Sequence, residues 1–514
     1  MINTSNAPDR TNIQGLILRG YTHPFSCHLL FSFLNDNKAT VNTKTFFADL
    51  YPKVQSATEW GNNKPVSMLN IGLTYLGIQQ LNFLAANELA NFPSSFKNGP
   101  WSGGSQASLG DIYDTASDPS KWWNSTNGEQ NTNLHCVVHI YALTQEALET
   151  LVNAVLSSAS TNGLTEIIPL TTTTNGGRLY QCVVENDPEK IHFGYTDGIS
   201  EPSMQDPPLP WNPITETNSA ETNNNFLIGY PNSLSNPGPT DTDTNTCTVT
   251  ASSFAKDGCY NAFRVIYQDV AAFNSFLQQS AQSPEIKKEL AYLNLTEQET
   301  EEWVAAKLCG RWRNGSPLML SPEKPDPATS HGEDFKYGST DDSGKTEYTS
   351  SSLRCPFSAH TRAANPRDQP LLPSEGVTTP PRILRRGVPY GEALPNSSTT
   401  DDGVDRGLVG LFLCGSIAGQ FEKLYSWMNY NNFSDKTIFN IKHPPQDALL
   451  GNRNAANSNA FPGAVKSFTI PLDNGTPKAS ITIPAMPQFL TTRGTAYCLL
   501  PSLANLAKIA GLSK

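Results

Sequence analysis

LHCVVHIYALTQEALETLVNAVLSSAS, residues 134–160, carries the reading on which the fold turns. Its first part, Leu134–Leu143, is rich in β-branched residues and free of glycine and proline, which predicts a strand. From Thr144 onward the apolar residues recur at helical spacing. Thr144 stands where an N-cap is needed, with Glu146 and Glu149 in the first turns. A strand that runs directly into an amphipathic helix is one unit of a layered α+β fold.

On the N-terminal side, IQGLILRG (13–20) and HLLFSFL (28–34) read as strands, and Lys44–Leu50 and Thr74–Asn87 as helices. On the C-terminal side RLYQCVVE, Arg178–Glu185, reads as a further strand. The composition changes from Pro207 to about Asp257, where NPITETNSAETNNN and NSLSNPGPTDTDTNT predict a long polar connection. The same grammar then restarts. YNAFRVIYQDV reads as a strand and DVAAFNSFLQQSA as the helix after it. LTEQETEEWVAAKLCGRW reads as a second helix with Thr296 as N-cap, LVGLFLCGSI as a core strand, and AGQFEKLYSWMNY as an amphipathic helix. Two α+β units are expected, over 1–206 and 258–514, joined by a linker over 207–257.

The 514 residues carry 36 basic and 47 acidic side chains, a formal charge of −11. That balance, with no lysine–arginine cluster, disfavours nucleic acid and anionic membrane as partners. The nine cysteines are widely spaced with no C-x-x-C, so reduced buried thiols are expected rather than a disulfide framework. The N-terminus lacks the basic and apolar pattern of a secretory signal, which predicts cytoplasmic residence.

Two motifs fail on inspection. GSTDDSGKT (338–346) resembles a phosphate-binding loop, but its glycine spacing is wrong and Asp341 and Asp342 would repel phosphate. His135 and His139 have metal-ligand spacing only on a helix, and Cys-Val-Val between them favours a strand.

Three segments are informative together. In HFGYTDGISEP (192–202), Asp197 lies between Gly194 and Gly198, on a sharp turn from which a carboxylate can project into a cavity. Alone, an Asx-turn is the commoner explanation. RCPFSAHTRAANPR (354–367) places His360, whose neutral imidazole is a good iron ligand, among arginines able to pair with carboxylates. RILRRGVPYGEA (382–393) reads as a short strand and tight turn, with a permanently charged guanidinium at the strand end.

In this order the three segments resemble the dye-decolourising (DyP-type) peroxidases, whose G-x-x-D-G motif is matched by GYTDG. IQGLILRGY, AAKLCGRWRNGSPLMLSP and GLFLCGSIAGQFEKLYSWMN are similar to further family stretches, so the resemblance spans about Ile13 to Asn429. It implies two ferredoxin-like domains of antiparallel sheet with peripheral helices, and haem b (iron protoporphyrin IX) held mainly by the second. It implies His360 as the proximal iron ligand, Asp197 as the distal aspartate and Arg385 as the distal arginine, with Arg386 adjacent. It also implies Arg367, and more weakly Arg362, as propionate partners. A carboxylate bonded to the other ring nitrogen of His360 is expected from the last strand–helix region, where Glu422 is a candidate. The implied activity is reduction of hydrogen peroxide with oxidation of bulky aromatic or dye-like molecules. A haem-binding or iron-releasing protein, and a haem-free protein on the same fold, are the rival readings.

Overall fold

The computed structural model describes residues 8–33, 39–171, 174–204, 220–221, 225–229, 254–369, 381–395, 397–430, 447–451, 467–476 and 479–512. Its first half runs β1 (Phe25–Ser32), α1 (Ala39–Leu50), β2 (Ser67–Thr74), β3 (Cys136–Ala142), α2 (Gln145–Thr161) and β4 (Thr165–Ile167). A short β5 (Leu179–Tyr180) adds to β1. The second half runs β6 (Cys259–Gln268), α3 (Val270–Gln282), α4 (Glu297–Cys309), α5 (His360–Ala364), β7 (Leu384–Arg385), β8 (Val388–Tyr390), β9 (Gly407–Cys414), α6 (Lys423–Tyr430) and β10 (Leu490–Leu500).

These strands form one ten-stranded sheet along the path β7-β9-β6-β10-β2-β3-β1-β4, with β8 beside β9. Within each half the fourth strand lies beside the first, the first beside the third and the third beside the second, all antiparallel. This is the ferredoxin-like arrangement, made twice. The halves join where β10 meets β2, at Cys498↔Thr74 and Leu499↔Leu73.

All seven residues of β3 are buried, because both faces of the sheet are covered. The two-residue period sorts them. Val138 and Ile140 join Leu29, Phe31 and the α2 residues Leu148, Leu151, Val152 and Val155 in one core. Val137 and Tyr141 join Leu30, Ile13, Leu16 and Ile17 in another. Thr144 caps α2 by accepting the Ala147 N–H at 3.1 Å, and Thr296 with Glu299 makes a reciprocal capping box on α4.

Several sequence expectations are corrected. Gly15–Leu18 is a helical turn rather than a strand, held by an isolated bridge between Gln14 and Ser56. A short apolar run cannot distinguish the two by periodicity. Of the expected strand 178–185 only Leu179–Tyr180 forms a strand; Gln181 and Val184 make isolated bridges to Tyr390 and Asp187, and Cys182 N donates to the Pro389 carbonyl. The amphipathic helix after β9 begins as a π-turn, Ile417–Glu422. Most of the expected connection 207–257 lies outside the described residues, but Phe226, Leu227 and Ile228 within it are fully buried. The described cysteines are free thiols, buried except Cys182. Among the described residues no helix is long and apolar enough to cross a membrane.

Candidate active site

The turn that carries Asp197 needs its glycines: Gly194 and Gly198 hold φ of 84° and 78°, where a Cβ is strained. The turn is fastened by Thr196 N to the Arg313 carbonyl (3.0 Å) and Asp197 N to the Glu189 carbonyl (2.8 Å). Asp197 Oδ1 accepts from Gly198 N at 2.7 Å and from Arg385 Nη1 at 2.8 Å.

Arg385 lies on the edge strand β7, opposite Phe412 of β9. Its neighbour Leu384 is fully buried, so strand alternation turns Arg385 the other way. Arg386 is directed elsewhere: its Nε contacts the Leu16 carbonyl at 3.4 Å. Of the adjacent arginines, Arg385 is the one that meets Asp197. Its Nε also donates to Glu201 Oε1 at 2.8 Å.

His360 opens α5, and its Nδ1 lies 2.7 Å from Asp447 Oδ2. The Asp447 side chain is fully buried, and its Oδ1 accepts from Leu449 N (2.8 Å) and Leu450 N (2.9 Å). A carboxylate so fixed accepts, so this network assigns the proton to Nδ1 and leaves the Nε2 lone pair available.

The three side chains share one electrostatic environment. Burial alone would depress the His360 pKa, but the Asp447 charge and hydrogen bond raise it, with Arg385 opposing and Asp197 adding. Burial would raise the Asp197 pKa; the Arg385 guanidinium and the Gly198 N–H outweigh it and hold the carboxyl below its ordinary value. His360 and Arg385 each keep 33% of their side-chain surface and Asp197 keeps 46%, so all three remain partly accessible.

This donor set fits haem. Among the described residues no cluster of His, Cys, Asp and Glu could hold a metal ion by itself. A single imidazole with a free Nε2 and a carboxylate behind it suits an iron that brings its other ligands with it in a porphyrin.

No family model matches the chain. Peroxidase 2 of Mycetinis scorodonius is 28% identical over 96% of this chain and 86% of its own length. A dye-decolorizing peroxidase of Mycena epipterygia is 29% identical over 98% and 88%. Among solved structures, an ancestral D-type dye decolorizing peroxidase matches 98% of the chain with TM-score 0.72 and 23% identity. A dye-decolorizing peroxidase in complex with 2,6-dimethoxyphenol matches 98% with TM-score 0.69 and 24% identity.

Along nearly its whole length the chain is similar in sequence to dye-decolorizing peroxidases, and it shares their fold.

The remaining expected residues divide. Arg367, at φ 54°, lies with its guanidinium 3.8 Å from the Phe335 ring centre and donates to the Glu333 carbonyl at 2.8 Å. Arg362 does not suit a propionate. It is 1% exposed, donates to Gln369, the Cys355 and Tyr348 carbonyls and Ser351, and packs over Tyr337 and Phe357. Glu422 is not the partner of His360: it accepts from Ser95 (2.9 Å) and Tyr497 (2.7 Å). Two residues of the candidate site, Asp447 and Glu201, have no local sequence signal beyond being acidic.

Proposed function

We propose that the protein reduces hydrogen peroxide at a haem b ligated by Nε2 of His360, and draws the electrons from bulky aromatic or dye-like molecules. The observation that carries this reading is the Asp197–Arg385 pair at 2.8 Å, within electrostatic reach of an imidazole backed by a buried carboxylate. Haem storage requires no such acid–base pair.

The bound haem supplies a redox-active iron. The chain supplies the proton chemistry. Peroxide must lose a proton from one oxygen and gain one on the other before its O–O bond breaks. Asp197, ionised by its contacts with Arg385 and Gly198, accepts the first proton and returns it to the departing oxygen as water forms. Arg385 remains charged throughout and stabilises negative charge on that oxygen, an effect worth about 2.7–4 kcal/mol. Asp447 makes the His360 imidazole a more basic ligand and fixes its orientation. Arg367 is the proposed partner of a haem propionate. One of the solved neighbours is described as a complex with 2,6-dimethoxyphenol, and phenols of that kind are the proposed reductants.

The test is to load the purified protein with haem, record the Soret band, then add peroxide and a dye. A rapid Soret shift followed by dye turnover is expected. Slow bleaching without turnover would support the storage reading, and failure to take up haem would remove both.

A further inference from the structure

Glu201 lies four residues after Asp197 on the same loop and meets Arg385 from the other side. Its Oε1 accepts from Arg385 Nε at 2.8 Å and its Oε2 from the Arg385 main-chain N at 2.9 Å. Oε2 also lies 3.5 Å from Arg386 Nη1. The carboxylate is three-quarters buried, with 25% of its side-chain surface exposed. One guanidinium is therefore held between two carboxylates of a single loop, with Nε committed to Glu201 and Nη1 to Asp197.

We propose that Glu201 is a positioning residue for peroxide cleavage, which locks Arg385 in the orientation that meets Asp197 and offsets part of the positive charge acting on Asp197. The inference rests on the proposed roles of Asp197 and Arg385.

An arginine side chain has four rotatable bonds and samples many rotamers when free. Two bonds from one carboxylate, to Nε and to the main chain of the same residue, select one of them. The second effect is electrostatic. The charged and titratable groups around Asp197 are Arg385, with Arg386 next to it in the chain, and His360 on α5. Arg311 and Arg382 reach Ser200 on its own loop, and the Glu189–His331 pair lies at the loop base. Glu201 is the anion of this group that touches Arg385 besides Asp197 itself. Without its charge, the guanidinium acts on Asp197 undiminished, so Asp197 protonates at lower pH.

The test is steady-state kinetics of the haem-loaded enzyme with peroxide varied, over an acidic pH series, for wild type, Glu201→Gln, Glu201→Ala and Asp197→Asn. Haem content is measured alongside. Glu201→Ala is expected to keep its haem and lose about 10- to 100-fold in kcat/KM for peroxide, the scale of a misplaced catalytic group. Glu201→Gln keeps an acceptor oxygen and the side-chain length. It is expected to retain more of the rate, with the acid limb of kcat/KM displaced to lower pH. A packing defect would not move that limb. Glu201→Ala with wild-type kcat/KM, or Glu201→Gln with an unmoved acid limb, overturns the proposal and leaves the peroxidase reading intact. Should Glu201→Ala fold poorly, Glu201→Gln decides alone. Asp197→Asn with undiminished turnover overturns both.

Discussion

Asp447 grips Nδ1 of His360 at 2.7 Å although 87 residues separate them in the chain. The carboxylate is itself fixed by two main-chain N–H groups, and its own N donates to the Met428 carbonyl at 2.9 Å, so the grip is anchored to the end of α6. Replacing Asp447 by alanine should therefore leave the fold and weaken the iron site. We expect a 10- to 100-fold loss of haem affinity, read by titrating haem into the apoprotein and following the Soret band. Unchanged affinity and an unchanged Soret maximum would mean that the bond is structural only.

Asp197 and Arg385 should separate kinetically from His360. Asp197→Asn keeps the shape and removes the base. It should retain haem and slow the reaction with peroxide by 10²–10⁴-fold, measured by stopped flow. Arg385→Leu should cost 10²–10³-fold. His360→Ala should lose haem instead. Wild-type turnover in Arg385→Leu would be incompatible with the distal assignment.

Because Arg385 and the Gly198 N–H hold the Asp197 carboxyl below its ordinary pKa, the base stays ionised into mildly acidic solution. Dye oxidation should therefore peak at acidic pH and decline as pH falls through that depressed value, where the carboxylate takes up its proton. A profile peaking above about pH 8 would exclude Asp197 as the proton shuttle.

What the sequence disclosed follows the range of the interaction. The caps at Thr144 and Thr296 and the strand–helix alternation depend on residues within a turn of each other, and all could be read directly. The three site segments were also local, since each combines a turn or helix start with one reactive side chain. Asp447 could not be read, because its selection depends on α5 and the segment after α6 coming together in space. Glu422 had a plausible position in the sequence, but the fold gives it to Ser95 and Tyr497. The π-turn was hidden for a similar reason. Gln420 accepts the Gly415 and Ser416 N–H groups and donates to the Arg382 carbonyl, a clasp that ties the helix start to the segment leading into β7.

Acid should destabilise the fold even where it favours the chemistry. Burial pushes His28 down to about 3 and His135 and His192 down to about 4, and lowers His139 well below its ordinary value. In the unfolded chain these imidazoles titrate near pH 6.5. Between the two values the unfolded state binds more protons, so stability is full above about pH 6.5 and falls as pH drops toward 4. Each such histidine contributes a slope of up to about 1.4 kcal/mol per pH unit. The melting temperature should fall steeply across that window, and less steeply in His192→Gln. A flat melting temperature from pH 6.5 to 4 would contradict the burial of neutral imidazoles.

The ion pair Arg264–Asp111 provides the sharpest test of how the two halves are held together. Arg264, on β6, donates from Nη1 and Nη2 to the two Asp111 oxygens at 2.7 and 2.8 Å. Thr492 and Thr495 of β10 accept from the same two nitrogens, and the guanidinium lies 4.8 Å from the Tyr425 ring centre. Both side chains are at least 96% buried. Asp111 belongs to the first half of the chain and Arg264 to the second, so the pair spans the halves. Asp111→Ala strands a buried guanidinium and should destabilise the protein by about 3–5 kcal/mol, measured by denaturant unfolding. The double variant Asp111→Ala with Arg264→Met removes the stranded charge and should recover much of that loss. If the double variant were as unstable as the single one, packing around the pair rather than its charge would be holding the halves together.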